Sequence, residues 1–141
     1  MRNLSKLSDK KRSKNKKPLI LVLGGHDPSG AGLLADIETC AANSCLALTI
    51  VTAVTSQNTS SYEGQIDIDE SFLIGQLTLL LKEFTPDAVK IGLIPKATMC
   101  MALADYIKKN LSHCPIVLDP VLKTGKTNSN LTDEELPIAL K

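Results

Sequence analysis

The sequence predicts an α/β protein with a mostly parallel sheet between two layers of helices, a three-layer αβα arrangement. Short apolar runs alternate with segments of helical periodicity along the whole chain, the pattern that builds parallel strands joined by right-handed crossovers. The run Leu46-Ala47-Leu48-Thr49-Ile50-Val51-Thr52-Ala53-Val54 is continuously apolar and β-branched, as a strand buried on both faces requires. Turn-forming or polar residues gather just after each run, at Gly24–Gly32, Thr55–Ser61, Gly92 and Pro120. These positions fall at the carboxyl ends of the strands, where parallel sheets bind their ligands.

The elements follow in order. Pro18–Leu23 is the first strand. Gly24-Gly25-His26-Asp27-Pro28-Ser29-Gly30-Ala31-Gly32 is a turn with four glycines. Such a turn suits either a pocket at a helix start, where free N–H groups favour anions and polar ligands, or a tight connection with no ligand. Gly30–Asn43 reads as a helix because Leu33, Leu34, Ile37 and Ala41 recur at helical spacing, and Asn43-Ser44 closes it. Cys45–Ala53 is the second strand. Ile66 and Ile68 alternate with acids and suit a short edge strand. Glu70–Glu83 is a helix with Phe72, Leu73, Leu77, Leu80 and Leu81 as its apolar stripe, capped by Ser71 or by Asp69. Asp87–Gly92 is a strand, and Pro95–Asn110 is a helix with Met99, Leu103, Tyr106 and Ile107 on one face. Pro115–Asp119 is the last strand, stopped by Pro120. A polar loop at Lys123–Asn130 and an acidic, helix-compatible piece at Thr132–Lys141 complete the chain.

At 141 residues the chain can hold one domain with a real core. The net charge of +1 conceals a division: Met1–Lys17 carries eight bases and one acid, and the rest carries eight bases and fourteen acids. The basic segment 1–17 has no apolar run for a signal or membrane span, no aromatic residues for base stacking and no amphipathic pattern. It is expected to be a solvated, disordered tail, with 18–141 as the folded part; nucleic-acid and membrane partners are not expected. Cys40, Cys45, Cys100 and Cys114 form no C-x-x-C pair, and His26 and His113 complete no metal-ligand pattern. Reduced, buried thiols in a cytoplasmic protein are expected, with no metal site.

Four chain segments bring polar or small residues to one sheet edge: Gly25/Asp27, Gln57/Asn58, Gly92/Leu93 and Asp119/Val121. Any one of them suits a plain turn; together they favour a binding site. A dinucleotide fingerprint is a poor fit. It needs G-x-G-x-x-G and an acid ending the second strand, whereas here Gly30-x-Gly32 is followed by Ala35 and the second strand ends in Thr and Gln. Gly125-Lys126-Thr127 echoes the end of a phosphate-binding loop but lacks the upstream glycine and the following helix.

In order and spacing these segments resemble the hydroxymethylpyrimidine/phosphomethylpyrimidine kinases of thiamine biosynthesis, which are ribokinase-like. The resemblance rests on Gly24–Asp36, Thr52–Thr59, Val89-Lys90-Ile91-Gly92-Leu93 and Val117-Leu118-Asp119-Pro120-Val121, and extends from Pro18 to about Lys141. It implies transfer of the γ-phosphoryl group of ATP, with Mg²⁺, to the hydroxymethyl group of an aminopyrimidine and then to the phosphate of that product. By position, Asp36 and Gln57 would hydrogen-bond the amino group and ring nitrogens, Gly25 would let the ring approach, and Leu93 and Val121 would be apolar walls. The chain departs from the family pattern in having only Gly30 before Ala31, Leu34 for a common Gln, Leu93 for a usual Met, and a different loop after Val121. The family's chains are longer, and their ATP site, anion hole and catalytic base resemble nothing in this chain. The resemblance therefore implies the substrate-binding half of an incomplete ribokinase-like domain, inactive alone, with a sheet edge for further strands to cover. A homodimer or a complementing C-terminal half are the partners it implies. A pyridoxal or pyridoxine kinase of the same superfamily, and a non-catalytic binding module or remnant, are the alternative readings.

Overall fold

The computed structural model describes residues 16–124 and 129–136. Its elements are β1 (Leu19–His26), α1 (Leu33–Ala42), β2 (Leu46–Gln57), β3 (Tyr62–Asp67), α2 (Glu70–Glu83), β4 (Ala88–Ile91), α3 (Ala97–Asn110) and β5 (Ile116–Leu118). They form one sheet in the order β3-β2-β1-β4-β5. β1 runs parallel to β2 and β4, and β4 parallel to β5, while β3 returns antiparallel along β2.

The chain steps from β1 to β2 in one direction and from β2 over β1 to β4 and β5 in the other. With right-handed crossovers this puts α1 on one face and α2 and α3 on the opposite face. The burial pattern agrees. Leu19, Leu21, Leu23, Ile50, Val89 and Ile91 share a core with Leu73 and Leu77 of α2 and with Met99, Leu103 and Ile107 of α3. On the other face Leu33 of α1 packs beside Gly24. The direction of winding reverses between β1 and β4, so the crevice beyond their carboxyl ends is the topological switch point.

The three-layer fold is the expected one; several boundaries and faces differ. β1 continues through Gly24–His26, which pair with Val51, Ala53 and Val54 across a register shift. β2 continues to Gln57 because its end pairs with β3, for example Thr55 with Gln65. α1 starts at Leu33 and not at Gly30, because Gly30 and Gly32 have φ of 107° and 59°, outside the right-handed helical region. α3 starts at Ala97 after Lys96. Asp69 caps α2: its Oδ1 accepts from the backbone N–H groups of Ser71 and Phe72.

Two expected apolar stripes are narrower than their periodicity implied. In α1, Leu33 is buried but Ile37 is 40% exposed and Ala41 is exposed. Phe72 of α2 is 63% exposed, leaving Leu73 and Leu77 to face the core. All four thiols are free; Cys100 and Cys114 are buried as expected, whereas Cys40 and Cys45 are half-buried. The expected tail (1–17) lies outside the described residues except for Lys16 and Lys17, as do Gly125-Lys126-Thr127 and residues 137–141, the second half of the acidic piece. β5, at the sheet edge, is exposed along its length.

Candidate functional site

A cavity of about 320 Å³ opens beyond the carboxyl ends of β1, β2 and β4, at the switch point. Its size suits one small ring-containing ligand. Gly25, Asp36, Gln57, Leu93 and Val121, the five residues singled out in the sequence, all line it. They come from β1, α1, β2, the segment after β4 and the segment after β5.

The floor is built by close packing around two glycines. A Cβ on Gly25 would lie 2.9 Å from Leu93 Cδ2, and one on Gly32 would lie 2.3 Å from the Gly25 carbonyl oxygen. Gly32 also has positive φ and bridges His26 across the turn, so only glycine fits there. The turn is tied by Asp27, which is 6% exposed. Its Oδ1 accepts from Ser29 N at 2.7 Å and from Ser29 Oγ at 2.6 Å, and its carbonyl accepts from Gly30 N. This closed turn starts α1 at Leu33, and Asp36, whose N–H donates to the Gly32 carbonyl, sits at the cavity. A single glycine before Ala31 is therefore compatible with Asp36 at the pocket wall.

The polar lining includes residues that the sequence did not single out. Lys90 of β4 places Nζ 2.8 Å from Asp36 Oδ2, joining the sheet to α1. Their side chains are 24% and 21% exposed, so the pair is sheltered but reachable. Its signal in the sequence is a lysine inside the otherwise apolar strand Ala88–Ile91. Thr55 Oγ1 donates to the His26 carbonyl at 3.0 Å and accepts from Gln57 Nε2 at 3.0 Å, which fixes the amide at the mouth. His26 lines the cavity, and its Nδ1 is buried with no hydrogen-bond partner in the structure. A buried polar atom left so is costly, and a polar ligand atom would relieve it. Burial first, then Cys45 and Asp36, push the Cys40 thiol above its ordinary pKa.

The far wall comes from the segment after β5. Leu131 packs with Ala53 and Leu93, and its carbonyl accepts from Gln65 Nε2 at 3.0 Å. Lys123 and Thr124 line the mouth beside Val121. Among the described residues no three His, Cys, Asp or Glu side chains gather to hold a metal ion. No helix there is long and apolar enough to cross a membrane.

The family model for phosphomethylpyrimidine kinase matches residues 27–141. The chain is 37% identical over 106 residues to a probable thiamine biosynthetic bifunctional enzyme, chloroplastic, of Oryza sativa, covering 74% of this chain and 19% of that protein. It superposes on the crystal structure of a phosphomethylpyrimidine kinase from Clostridium difficile with a TM-score of 0.75 and 28% identity, over 89% of this chain and 53% of that one. A Staphylococcus aureus pyridoxal kinase in complex with ADP shares the fold, with a TM-score of 0.73 at 20% identity, over 89% of this chain and 44% of that one. The chain thus spans about half the length of these two kinases, or less, and the shared fold is ribokinase-like.

Proposed function

The chain belongs to the phosphomethylpyrimidine kinase family, and on that premise we propose that it forms the acceptor side of a kinase site that receives a hydroxymethyl-bearing aminopyrimidine. The observation that carries this reading is the convergence of Gly25, Asp36, Gln57, Leu93 and Val121 on one ring-sized cavity. The Asp36 carboxylate accepts from an exocyclic amine, and the Gln57 amide both donates and accepts. A flat ring would lie over the end of β1, between the apolar side chains of Leu93 and Val121, with Leu93 seated against the bare Gly25. His26 Nδ1 offers a hydrogen-bond site for the ligand's hydroxyl.

The reaction in this reading is phosphoryl transfer from ATP to the hydroxymethyl group and then to the resulting phosphate. Transfer of this kind depends on charge stabilisation around the γ-phosphate and its metal. The chain covers 53% and 44% of the two kinase structures it superposes on. We therefore assign ATP, Mg²⁺ and the catalytic base to the portion of the relatives' length that this chain does not span. The exposed edge strand β5 is where that portion would extend the sheet. Four unpaired thiols suit a reducing compartment such as the cytoplasm.

Titration calorimetry with hydroxymethylpyrimidine tests the reading. Saturable binding is expected, lost in Asp36→Ala. A chain with a folded circular-dichroism spectrum that binds no pyrimidine at millimolar concentration would overturn it and favour a remnant. Tighter binding of pyridoxal than of the pyrimidine would favour the pyridoxal-kinase alternative.

A further inference from the structure

Lys90 has no role in the reading above, yet its ammonium is built into the cavity. Lys90 of β4 and Gly92, the residue just beyond the strand, stand two residues apart on the side turned toward α1. A Cβ on Gly92 would lie 3.0 Å from Lys90 Nζ and 3.9 Å from its Cε. The lysine stem therefore runs forward over the bare glycine, toward the strand's carboxyl end, and delivers Nζ to Asp36. An ammonium has three N–H donors, and the partner the structure gives this one is Asp36 Oδ2. The pair thus presents a charge-assisted acceptor, the carboxylate, beside a charge-assisted donor, the ammonium.

We propose that Lys90 is a specificity-determining residue: its ammonium donates to the ring nitrogen adjacent to the ligand's amino group, while Asp36 accepts from that amino group. The inference rests on the acceptor-site reading and sharpens it. An aminopyrimidine carries a donor and an acceptor side by side on one edge, complementary to the Asp36–Lys90 pair. A ring bearing an oxo group in place of the amine would turn an acceptor toward the carboxylate and be rejected. The ion pair has no net charge, which suits a neutral ring, and its sheltered position strengthens both hydrogen bonds.

A chemical double-mutant cycle tests this. Hydroxymethylpyrimidine and its analogue with C–H in place of that ring nitrogen are titrated calorimetrically into the wild-type chain and into Lys90→Met, which keeps the apolar stem. In the wild type the analogue is expected to bind about ten- to a hundred-fold more weakly, the range for a hydrogen bond to a charged group. In Lys90→Met the two ligands are expected to bind alike. Gly92→Ala, which displaces the ammonium without removing its charge, is expected to shrink the discrimination part of the way. An unchanged discrimination ratio in Lys90→Met would overturn the assignment of Lys90 while leaving the pyrimidine site intact. No binding of either ligand to the folded wild type would instead overturn the acceptor-site reading on which it rests. Collapse of the Lys90→Met spectrum would leave Gly92→Ala to decide, and an unchanged ratio there would count against the proposal.

Discussion

The buried hydroxyl of Thr52 donates to the carbonyl of Leu93 at 2.7 Å, linking β2 to the segment beyond β4 across the glycine end of β1. Thr52 is fully buried, so the bond has little competition from water. Thr52→Val keeps the side chain's shape and removes the donor. It is expected to destabilise the chain by about 1–3 kcal/mol, the cost of a lost buried hydrogen bond, measured by urea denaturation. The same variant should weaken pyrimidine binding, because Leu93 is a cavity wall. An unchanged unfolding midpoint would show that the clasp contributes nothing.

Gly25 and Leu93 constrain each other just above that bond. A methyl group on Gly25 would meet Leu93 Cδ2 at 2.9 Å, and the leucine would have to move into the cavity. Gly25→Ala is expected to cost about 1–3 kcal/mol, as overpacking does, and to weaken ligand binding. Leu93→Ala in the same chain should restore part of the binding by making room. Additive effects of the two changes, in place of this coupling, would mean that the wall is softer than the structure indicates.

The acid side of the stability profile should carry the signature of Asp69. The hydrogen bond from the Ser71 hydroxyl, followed by those from the Phe72 and Ser71 backbones, holds the Asp69 carboxyl below its ordinary pKa. A carboxylate depressed on folding stabilises the chain fully above its unfolded pKa of about 3.9. That contribution is lost as pH falls through the lower folded value. Thermal melts of Asp69→Asn, which retains a capping oxygen without the charge, should therefore lose less midpoint on acidification than the wild type. Parallel curves for the two chains would remove Asp69 from the acid transition.

How much of this was legible in the sequence depends on how local each cause is. α2 was bounded correctly at both ends because its apolar stripe and its capping candidates, Asp69 and Ser71, lie within it or beside it in the sequence. β2 was cut short because Val54–Gln57 are ordered by pairing with β3, and periodicity cannot see a pairing partner. Ile37 and Phe72 fit an apolar stripe yet face outward, since spacing alone does not say which arc meets the sheet. The strand-end rule pointed to Gly25, Gln57, Leu93 and Val121, the family resemblance added Asp36, and all five line one cavity. Neither singled out Lys90, whose partner Asp36 is 54 positions away and whose only local mark is a charge in an otherwise apolar strand. Leu131 and the wall it forms were hidden in a stretch that read only as a polar loop followed by an acidic tail.

That wall is held by an aspartate working at a distance. α3 has no capping side chain of its own at Lys96. Instead Asp133 Oδ2 accepts from Ala97 N at 3.0 Å, its Oδ1 accepts from Leu136 N at 2.9 Å, and its backbone N–H donates to the Pro95 carbonyl at 2.8 Å. The segment that carries Leu131 into the cavity and Leu136 into the core is thereby fastened to the start of α3. Asp133→Ala would leave the Ala97 N–H without this acceptor and loosen the fastening. A loss of about 0.5–2 kcal/mol is expected, the range for a removed helix cap, together with faster proteolysis near Leu131 and weaker pyrimidine binding. Asp133→Asn keeps an acceptor oxygen and should recover most of both. If Asp133→Ala lowers stability but leaves ligand affinity unchanged, the segment after β5 supports the fold without shaping the pocket.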